Sequence, residues 1–349
     1  MKSKKLLLSL AGALAFLALL AYGSHRTHFR WDILWQQMHY VRWSNIVLGM
    51  LLIYAAYLVR AFRWVVFLRP TKRLPPFYLL GTQVIGFTAV ALLGRVADLT
   101  RPYLVARRAK LPIAPQIAIW TVERMFDFAS MASIVSLALL LAPDRATMPH
   151  RAQAVAGAKS LLSMAGMLVI FTIAVRLSGE TIARTIERSL PRKVADAIAS
   201  KVRSFREGLL TVSSASALLQ AAALSLVMWG MISGAYLTTV RAFASSPTLA
   251  SMTLGRCVIL MAASMVGSAF PVPVAAWFTQ VIALQITLAQ LFNVPQETAL
   301  ACGAGLTFVT FICVIPVGLI WSRFEHISLR QVSEVSEHEA EELSTGAQA

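Results

Sequence analysis

Six charged residues interrupt apolar sequence in the first third of the chain, and their spacing suggests that they act together. Arg95, Asp98 and Arg101 are three positions apart, so a helix would present them on one broad face. Glu123 and Asp127 are four positions apart and would share a helix face near the start of the next apolar run. Each charge alone would be costly in hydrocarbon, so the charges should face one another or a water-filled cavity. The predicted site consists of Arg95, Asp98, Arg101, Glu123, Arg124 and Asp127.

Three kinds of chemistry fit three cations and three anions that neutralise one another. The charges could be ion pairs that pin two helices together. They could form a polar vestibule for a lipid headgroup, because arginine matches phosphate geometry and carboxylates can hold an amine or sugar hydroxyls. Glu123 and Asp127 could also act as acid and base, but the sequence offers no histidine cluster or nucleotide-binding loop to complete a catalytic site. We therefore expect no enzymatic activity, no cofactor and no metal.

The composition indicates a membrane protein. The mean hydropathy is +0.67 and only 14% of residues are charged, against about a quarter in soluble domains. The net charge of +16 resides in short basic clusters between apolar runs, as in cytoplasmic loops, and no nucleic-acid-binding motif accompanies it. Nucleic acid is therefore not an expected partner. The three cysteines lie in apolar stretches and are predicted to be buried filling residues.

Six apolar runs are predicted to cross the membrane. They are residues 6–22, 46–68, 117–141, 161–175, 215–240 and 297–321. Lysines before the first run place the N-terminus in the cytoplasm, although a cleaved signal peptide is an alternative for this run. Arg60 and Arg63 are expected to snorkel to the cytoplasmic interface. Residues 1–325 would form the membrane domain, and residues 326–349 a polar, acidic cytoplasmic tail.

Two further apolar stretches are predicted to be re-entrant or broken hairpins. Residues 77–93 have strongly basic flanks on both sides, so a complete crossing would violate the positive-inside rule. Residues 253–291 exceed one crossing and are interrupted by Pro271 and Pro273, which favours a hairpin from the outer side. Opposed hairpins are what an inverted repeat would give, and discontinuous helices often build transport sites. The predicted fold is an all-α polytopic membrane bundle of about six spans and two hairpins.

Residues 181–209 form an amphipathic segment that is predicted to be a cytoplasmic helix pair hinged at Pro191. Apolar residues recur at every fourth position, and basic residues lie beside that stripe. Such a segment could lie on an anionic leaflet, or it could be an ordinary solvated helix packed on the bundle. The residues predicted to contact anionic lipid are Arg184, Arg188, Arg192, Lys193, Lys201 and Arg203.

Residues 94–108, GRVADLTRPYLVARR, followed by TVERMFD at 121–127, resemble a known signature. It is that of the lysylphosphatidylglycerol synthase transmembrane region, a flippase-like membrane family whose pattern is G-R-x-G-E-x-x-R-P and then E-R-x-x-D. Residues 60–64, 205–208 and 293–297, together with Trp229, fit the same family. Gly94 and the six charged residues match the pattern. Asp98 replaces the usual Glu, and Ala97 replaces a Gly.

The resemblance implies binding or translocation of an anionic phospholipid or a polyprenyl-linked glycolipid in the cell (inner) membrane, with both termini cytoplasmic. The six charged residues would then bind substrate. The full-length synthases add a soluble aminoacyl-transferring domain, so no synthase reaction is expected of residues 326–349. Residues 271–277 lack the family's glycines, so a less close backbone approach is expected in the second hairpin. Alternatives are a non-transporting accessory subunit of an envelope lipid or glycan synthesis system and a membrane-embedded transferase. The chain could also form homo-oligomers.

Overall fold

The computed structural model describes residues 30–141, 151–189, 191–210, 214–268 and 275–325, and within these ranges the chain is helical without strands. The all-α prediction is thus confirmed. The predicted first crossing, the tail after residue 325 and the proline-containing turn of the second hairpin lie outside the described residues.

The helices are numbered here in chain order. They are α1 Trp31–His39, α2 Trp43–Leu68, α3 Pro76–Leu93, a 3-10 turn Arg95–Leu99, α4 Thr100–Ala109, α5 Ile113–Leu140, α6 Arg151–Ser189, α7 Arg192–Leu210, α8 Ala215–Arg241, α9 Pro247–Ala250, α10 Leu254–Gly267, α11 Ala275–Phe292, α12 Gln296–Thr307, a π-helical turn Phe308–Ile312, and α13 Val314–Phe324.

Four helical stretches are long and apolar enough to cross a membrane, namely Trp43–Leu68, Val155–Ser189, Ser216–Arg241 and Gln296–Phe324. Helix α5 has the length to do so as well, at 28 residues, but carries three of the six charged residues of the predicted site. Five of the six predicted crossings therefore correspond to long helices. The prediction for 161–175 was too short, because α6 continues from Arg151 to Ser189 across an irregular residue at Ser178.

Helices α2 and α8 form an antiparallel pair along their whole length. At one end, the Arg42 amide donates to the Ala242 carbonyl at 2.9 Å. At the other, the Arg69 guanidinium donates to Gln220 Oε1 at 3.1 Å. The helices approach closely at Gly49, where a Cβ would stand 2.6 Å from Thr239 Oγ1. This pair gives the bundle two ends, called here the Arg69 end and the Arg42 end.

The first hairpin consists of α3, the 3-10 turn and α4, and it begins and ends at the Arg69 end. Near its open end, Lys72 Nζ donates to the Ala109 carbonyl at 2.8 Å, and the Tyr78 hydroxyl donates to the Arg108 carbonyl at 3.1 Å. The reversal occurs at Gly94, whose φ of 80° is favourable for glycine. The chain therefore returns to the end from which it started, as predicted for residues 77–93.

The second hairpin consists of α10 and α11 and opens at the Arg42 end. Arg241, at the last turn of α8, donates to the Met252 carbonyl at 3.0 Å just before α10 begins. Near the tip, Thr279 Oγ1 donates to the Gly267 carbonyl at 2.6 Å. The two hairpins thus enter the bundle from opposite ends, as predicted.

The expected loss of close backbone approach concerns residues 271–277, which lie largely outside the described residues, so it stays a prediction. Although residues 269–274 are outside the described ranges, Gly267 itself lies against α11. A Cβ there would stand 2.7 Å from the Thr279 carbonyl oxygen and 2.8 Å from the Gln280 Cα. This single glycine, which precedes the predicted segment, brings the two helices together.

Helices α6 and α7 form the predicted helix pair hinged at Pro191. Arg203 on α7 donates to Glu187 at 2.6 Å and lies 3.4 Å from Glu180, and these hydrogen bonds raise the pKa of the Arg203 guanidinium. The Phe205 ring stacks on Phe171 at 6.0 Å. Arg203 is therefore engaged within the protein, and α7 packs on the bundle.

The remaining residues of the predicted lipid-contacting set differ in their surroundings. Arg184 pairs with Glu180 at 3.2 Å, whereas Arg188, Arg192 and Lys201 are exposed. The Lys193 side chain is outside the described part of the chain. Contact of this set with an anionic leaflet stays a prediction.

Candidate functional site

The Glu123 carboxylate is the centre of a buried ion cluster. It accepts hydrogen bonds from Arg63 at 2.5 Å, from Trp64 Nε1 at 3.1 Å and from Arg60 at 3.2 Å. Arg101 approaches to 3.4 Å from the first hairpin. The Glu123 side chain has no exposed surface. One carboxylate thus joins α2, α4 and α5.

Asp127, one turn along α5, extends the cluster toward α8. It accepts from Arg63 at 2.6 Å and from Arg60 at 3.3 Å, and Arg124 lies 3.3 Å away. The same nitrogen of Arg63 also donates to Ser225 on α8 at 2.6 Å. Removing one partner of such a network would leave an uncompensated buried charge. The network therefore holds α2, α4, α5 and α8 in a fixed arrangement.

Arg60 and Arg63 do not snorkel, which corrects the expectation from sequence. Both are buried, with relative exposures of 6% and 0%. The physical reason is that Glu123 and Asp127 stand on the facing helix at matching spacing, and arginines turned to the interface would leave them buried without counter-charge. The R-x-x-R spacing opposite E-x-x-x-D was the signal available in the sequence.

Five of the six predicted site residues lie in the ion cluster, and the sixth, Arg95, has no described side chain. Asp98 and Arg101 pair at 3.2 Å, and Arg101 reaches Glu123. Arg95 begins the 3-10 turn, but its side chain lies outside the description. The predicted neutrality of the six residues is not tested without the Arg95 side chain, but Arg60 and Arg63 join the cluster, so four arginines meet three carboxylates among the described side chains. The described side chains of the cluster therefore carry one excess positive charge.

A cavity of about 340 Å³ adjoins the cluster and lies between the tips of the two hairpins. The first hairpin contributes Gly94 and Asp98 at its reversal, and the second contributes Ser268 and Trp277 on either side of its turn. Its charged wall consists of Arg60, Asp98, Arg124 and Asp127. Much of the rest is apolar or aromatic, and includes Ile53, Tyr57, Phe87, Phe128, Met131, Ile232, Met261, Met265, Phe311 and Val314.

Arg124 is the most accessible cation of the cavity wall. Its side chain is 34% exposed, against 7% for Arg60, and its one ion pair in the described chain is with Asp127. Its Nε has no hydrogen-bond partner among the described residues. The guanidinium lies 5.8 Å from the centre of the Trp120 ring, at the margin of cation–π range. Arg124 thus has donors left for a ligand.

An uncharged polar group on α8, α10, α11 and the π-helical turn was not found from the sequence. It consists of Tyr236, Ser264, Gln280 and Thr310 and is called here the polar wall. Tyr236 and Gln280 both donate to Ser264 Oγ at 2.7 Å, and Gln280 Nε2 lies 3.4 Å from Thr310 Oγ1. Tyr236, Ser264 and Thr310 line the cavity. Single polar residues in apolar runs gave only a weak signal.

Among the described residues, neither a metal-binding group nor a cysteine forms part of the site. Over the described ranges, no group of three His, Cys, Asp or Glu side chains could hold a metal ion. Cys257, Cys302 and Cys313 are free and buried, as predicted for filling residues.

The fold and site define a class: a multi-pass α-helical membrane protein in which two opposed hairpins enclose a cavity beside a buried ion cluster. The model of the lysylphosphatidylglycerol synthase TM region matches residues 6–318, so the chain belongs to this family. No curated protein and no solved structure matches the chain.

Proposed function

We propose that this protein binds the headgroup of an anionic lipid in the cavity and moves it between the two leaflets. The observation that carries the proposal is the lining of the cavity, in which a wall with two arginines and two aspartates meets a largely apolar remainder. An amphiphile needs both, because its phosphate requires cationic donors and its chains require apolar contact. An anionic phospholipid and a polyprenyl-linked glycolipid both meet this description.

The hairpins support translocation because one helix of each hairpin is too short to span the membrane, whereas α3 and α11 have 18 residues each. Helix α4 has 10 residues and α10 has 14, which correspond to about 15 and 21 Å of helix. The hydrocarbon core is about 30 Å thick, so the tips and the cavity between them would lie within it. A headgroup in the cavity would have entered from one end and could leave toward the other if the hairpins rock alternately.

In the orientation that fits the charges, the Arg69 end faces the cytoplasm and the protein lies in the cell (inner) membrane. Arg69, Arg73, Arg107 and Lys110 lie at this end, in agreement with the positive-inside rule. A cysteine replacing exposed Gln296 should react with an impermeant thiol reagent in intact cells. A cysteine replacing exposed Arg107 should react only after permeabilisation. The opposite labelling pattern would contradict this orientation.

The proposal predicts that Arg124→Gln slows lipid movement. Liposomes with purified protein would contain phosphatidylglycerol labelled on an acyl chain with a dithionite-sensitive fluorophore. Loss of inner-leaflet fluorescence after dithionite addition then reports transfer to the outer leaflet. We expect a decrease of about tenfold or more, because a charge-assisted hydrogen bond contributes about 1.5–3 kcal/mol.

Arg107→Gln is the matched control, because it removes the same charge from an exposed position of the first hairpin. It should leave the rate unchanged. No protein-dependent movement of any anionic lipid tried would refute translocation and favour the accessory-subunit alternative. A membrane-embedded transferase is less well supported, because Glu123 has no exposed surface and is engaged by four donors.

A further inference from the structure

We infer that the polar wall is a second binding site within the cavity, for an uncharged, hydroxyl-bearing part of the headgroup such as glycerol or a sugar. This inference rests on the proposed function and specifies its substrate. Arg124 on the charged wall would hold the phosphate, and the polar wall would hold the group esterified to that phosphate.

The hydrogen bonding of Ser264 leaves its own proton for a ligand. The Tyr236 hydroxyl and Gln280 Nε2 both donate to Ser264 Oγ at 2.7 Å. A serine hydroxyl has two acceptor lone pairs and one proton, so both lone pairs are used. Ser264 is 2% exposed and lines the cavity. Its O–H is therefore a buried donor that can serve an oxygen atom in the cavity.

Two other buried polar atoms have no hydrogen-bond partner within the described ranges. Gln280 Oε1 is an acceptor, and it lies behind the cavity surface because Gln280 is fully buried and does not line the cavity. Trp229 Nε1 is a donor, and Trp229 lines the cavity. Unsatisfied buried groups are costly and call for a partner. The donors of Ser264 and Trp229, with the hydroxyl oxygens of Tyr236 and Thr310 that also line the cavity, suit hydroxyl groups, which both donate and accept.

The position of Gln280 is fixed by the backbone around it. Helix α11 is held between Gly267 on α10 and Gly303 on α12, where an added Cβ would stand 2.7 Å from the Thr279 carbonyl oxygen and 3.2 Å from that of Val281. Thr310 lies in the π-helical turn, a distortion that is frequent at functional sites. This packing keeps the Gln280 amide between Ser264 and Thr310.

The charges of the cavity argue against a cationic headgroup. The polar wall contains no ionisable acid to pair with an amine. The two carboxylates of the cavity, Asp98 and Asp127, are both engaged by arginine. A buried ammonium without a counter-charge is strongly unfavourable. A phosphate diester of a neutral polyol instead leaves each wall with a suitable partner.

Matched lipid pairs test the inference. Dissociation constants would be measured by native mass spectrometry for phosphatidylglycerol against phosphatidylethanol, and for polyprenyl phosphohexose against polyprenyl methyl phosphate. Each pair has the same charge, and only one member bears hydroxyl groups on the headgroup. We expect the wild-type protein to prefer that member in at least one pair by about tenfold. The pair that shows the preference identifies glycerol or sugar as the group bound.

Variants assign the preference to the polar wall. Ser264→Ala should reduce the preference to about threefold or less and leave the affinity for the hydroxyl-free lipid unchanged. Ser133→Ala removes a hydroxyl that, among the described residues, donates to the Ala129 carbonyl of its own helix, and it should keep the preference. Arg124→Gln should weaken both members of a pair equally. Equal wild-type affinity within both pairs would overturn the inference alone, whereas binding of none of the four lipids would overturn the proposed function as well.

Discussion

Glu123 is the residue on which the ion cluster depends, because donors from two other helices converge on its carboxylate. Glu123→Gln would remove a negative charge that faces Arg60, Arg63 and Arg101, and an amide oxygen cannot replace it. We expect a loss of about 3–5 kcal/mol in the free energy of unfolding, as for other broken buried ion pairs. Thermal denaturation in detergent, followed by tryptophan fluorescence, would measure the loss as a lower melting temperature.

Glu187→Gln is the control at the residue scale. Glu187 also accepts from an arginine, at 2.6 Å from Arg203, but the pair is solvent-accessible. Exposed ion pairs contribute little, so the melting temperature should hardly change. If Glu123→Gln melted at the wild-type temperature, the ion cluster would not be what joins α2, α4 and α5.

At the scale of elements, the packing of α11 against Gly267 decides where the polar wall lies. Gly267→Ala would bring a methyl group against the backbone of Thr279 and Gln280, which cannot move away as a flexible side chain could. We expect a destabilisation of about 1–3 kcal/mol, typical of overpacking, seen as a lower melting temperature. Displacement of α11 should also reduce the headgroup preference.

Gly230→Ala is the matched control, because a Cβ at Gly230 would meet nothing within 4 Å. Alanine is the better helix former by up to about 1 kcal/mol, so this variant should be as stable as the wild type or more stable. Equal melting temperatures for the two alanine variants would contradict the close approach at Gly267.

The sequence predicted the helices and hairpins better than it predicted the side-chain contacts between them. Long apolar runs bounded by basic clusters were sufficient to locate the spans, and basic flanks on both sides of residues 77–93 identified the first hairpin. The roles of Arg60 and Arg63 were missed because snorkelling depends on what the facing helix offers. The polar wall was missed because Ser264, Gln280 and Thr310 come from three segments that only the fold brings together.

At the scale of the whole molecule, the α2–α8 pair fixes the two ends of the bundle, and one hairpin opens at each end. Their tips meet around a cavity with a charged wall that contains two arginines and a neutral polar wall. The ion cluster ties the first hairpin to α2 and α5, and Gly267 ties the two arms of the second. The opposed arrangement is the one that an inverted repeat would produce. Under the proposed function, a lipid headgroup would bind at the point where the hairpins meet.

The most direct test is a cryo-electron microscopy structure of the protein in nanodiscs that contain phosphatidylglycerol. We expect headgroup density in the cavity, with a phosphate within hydrogen-bonding distance of Arg124 and the glycerol hydroxyls beside Ser264 and Tyr236. The same cavity in Arg124→Gln should show weaker headgroup density. Lipid confined to the outer surface of the bundle, with no headgroup between the hairpin tips, would contradict the account.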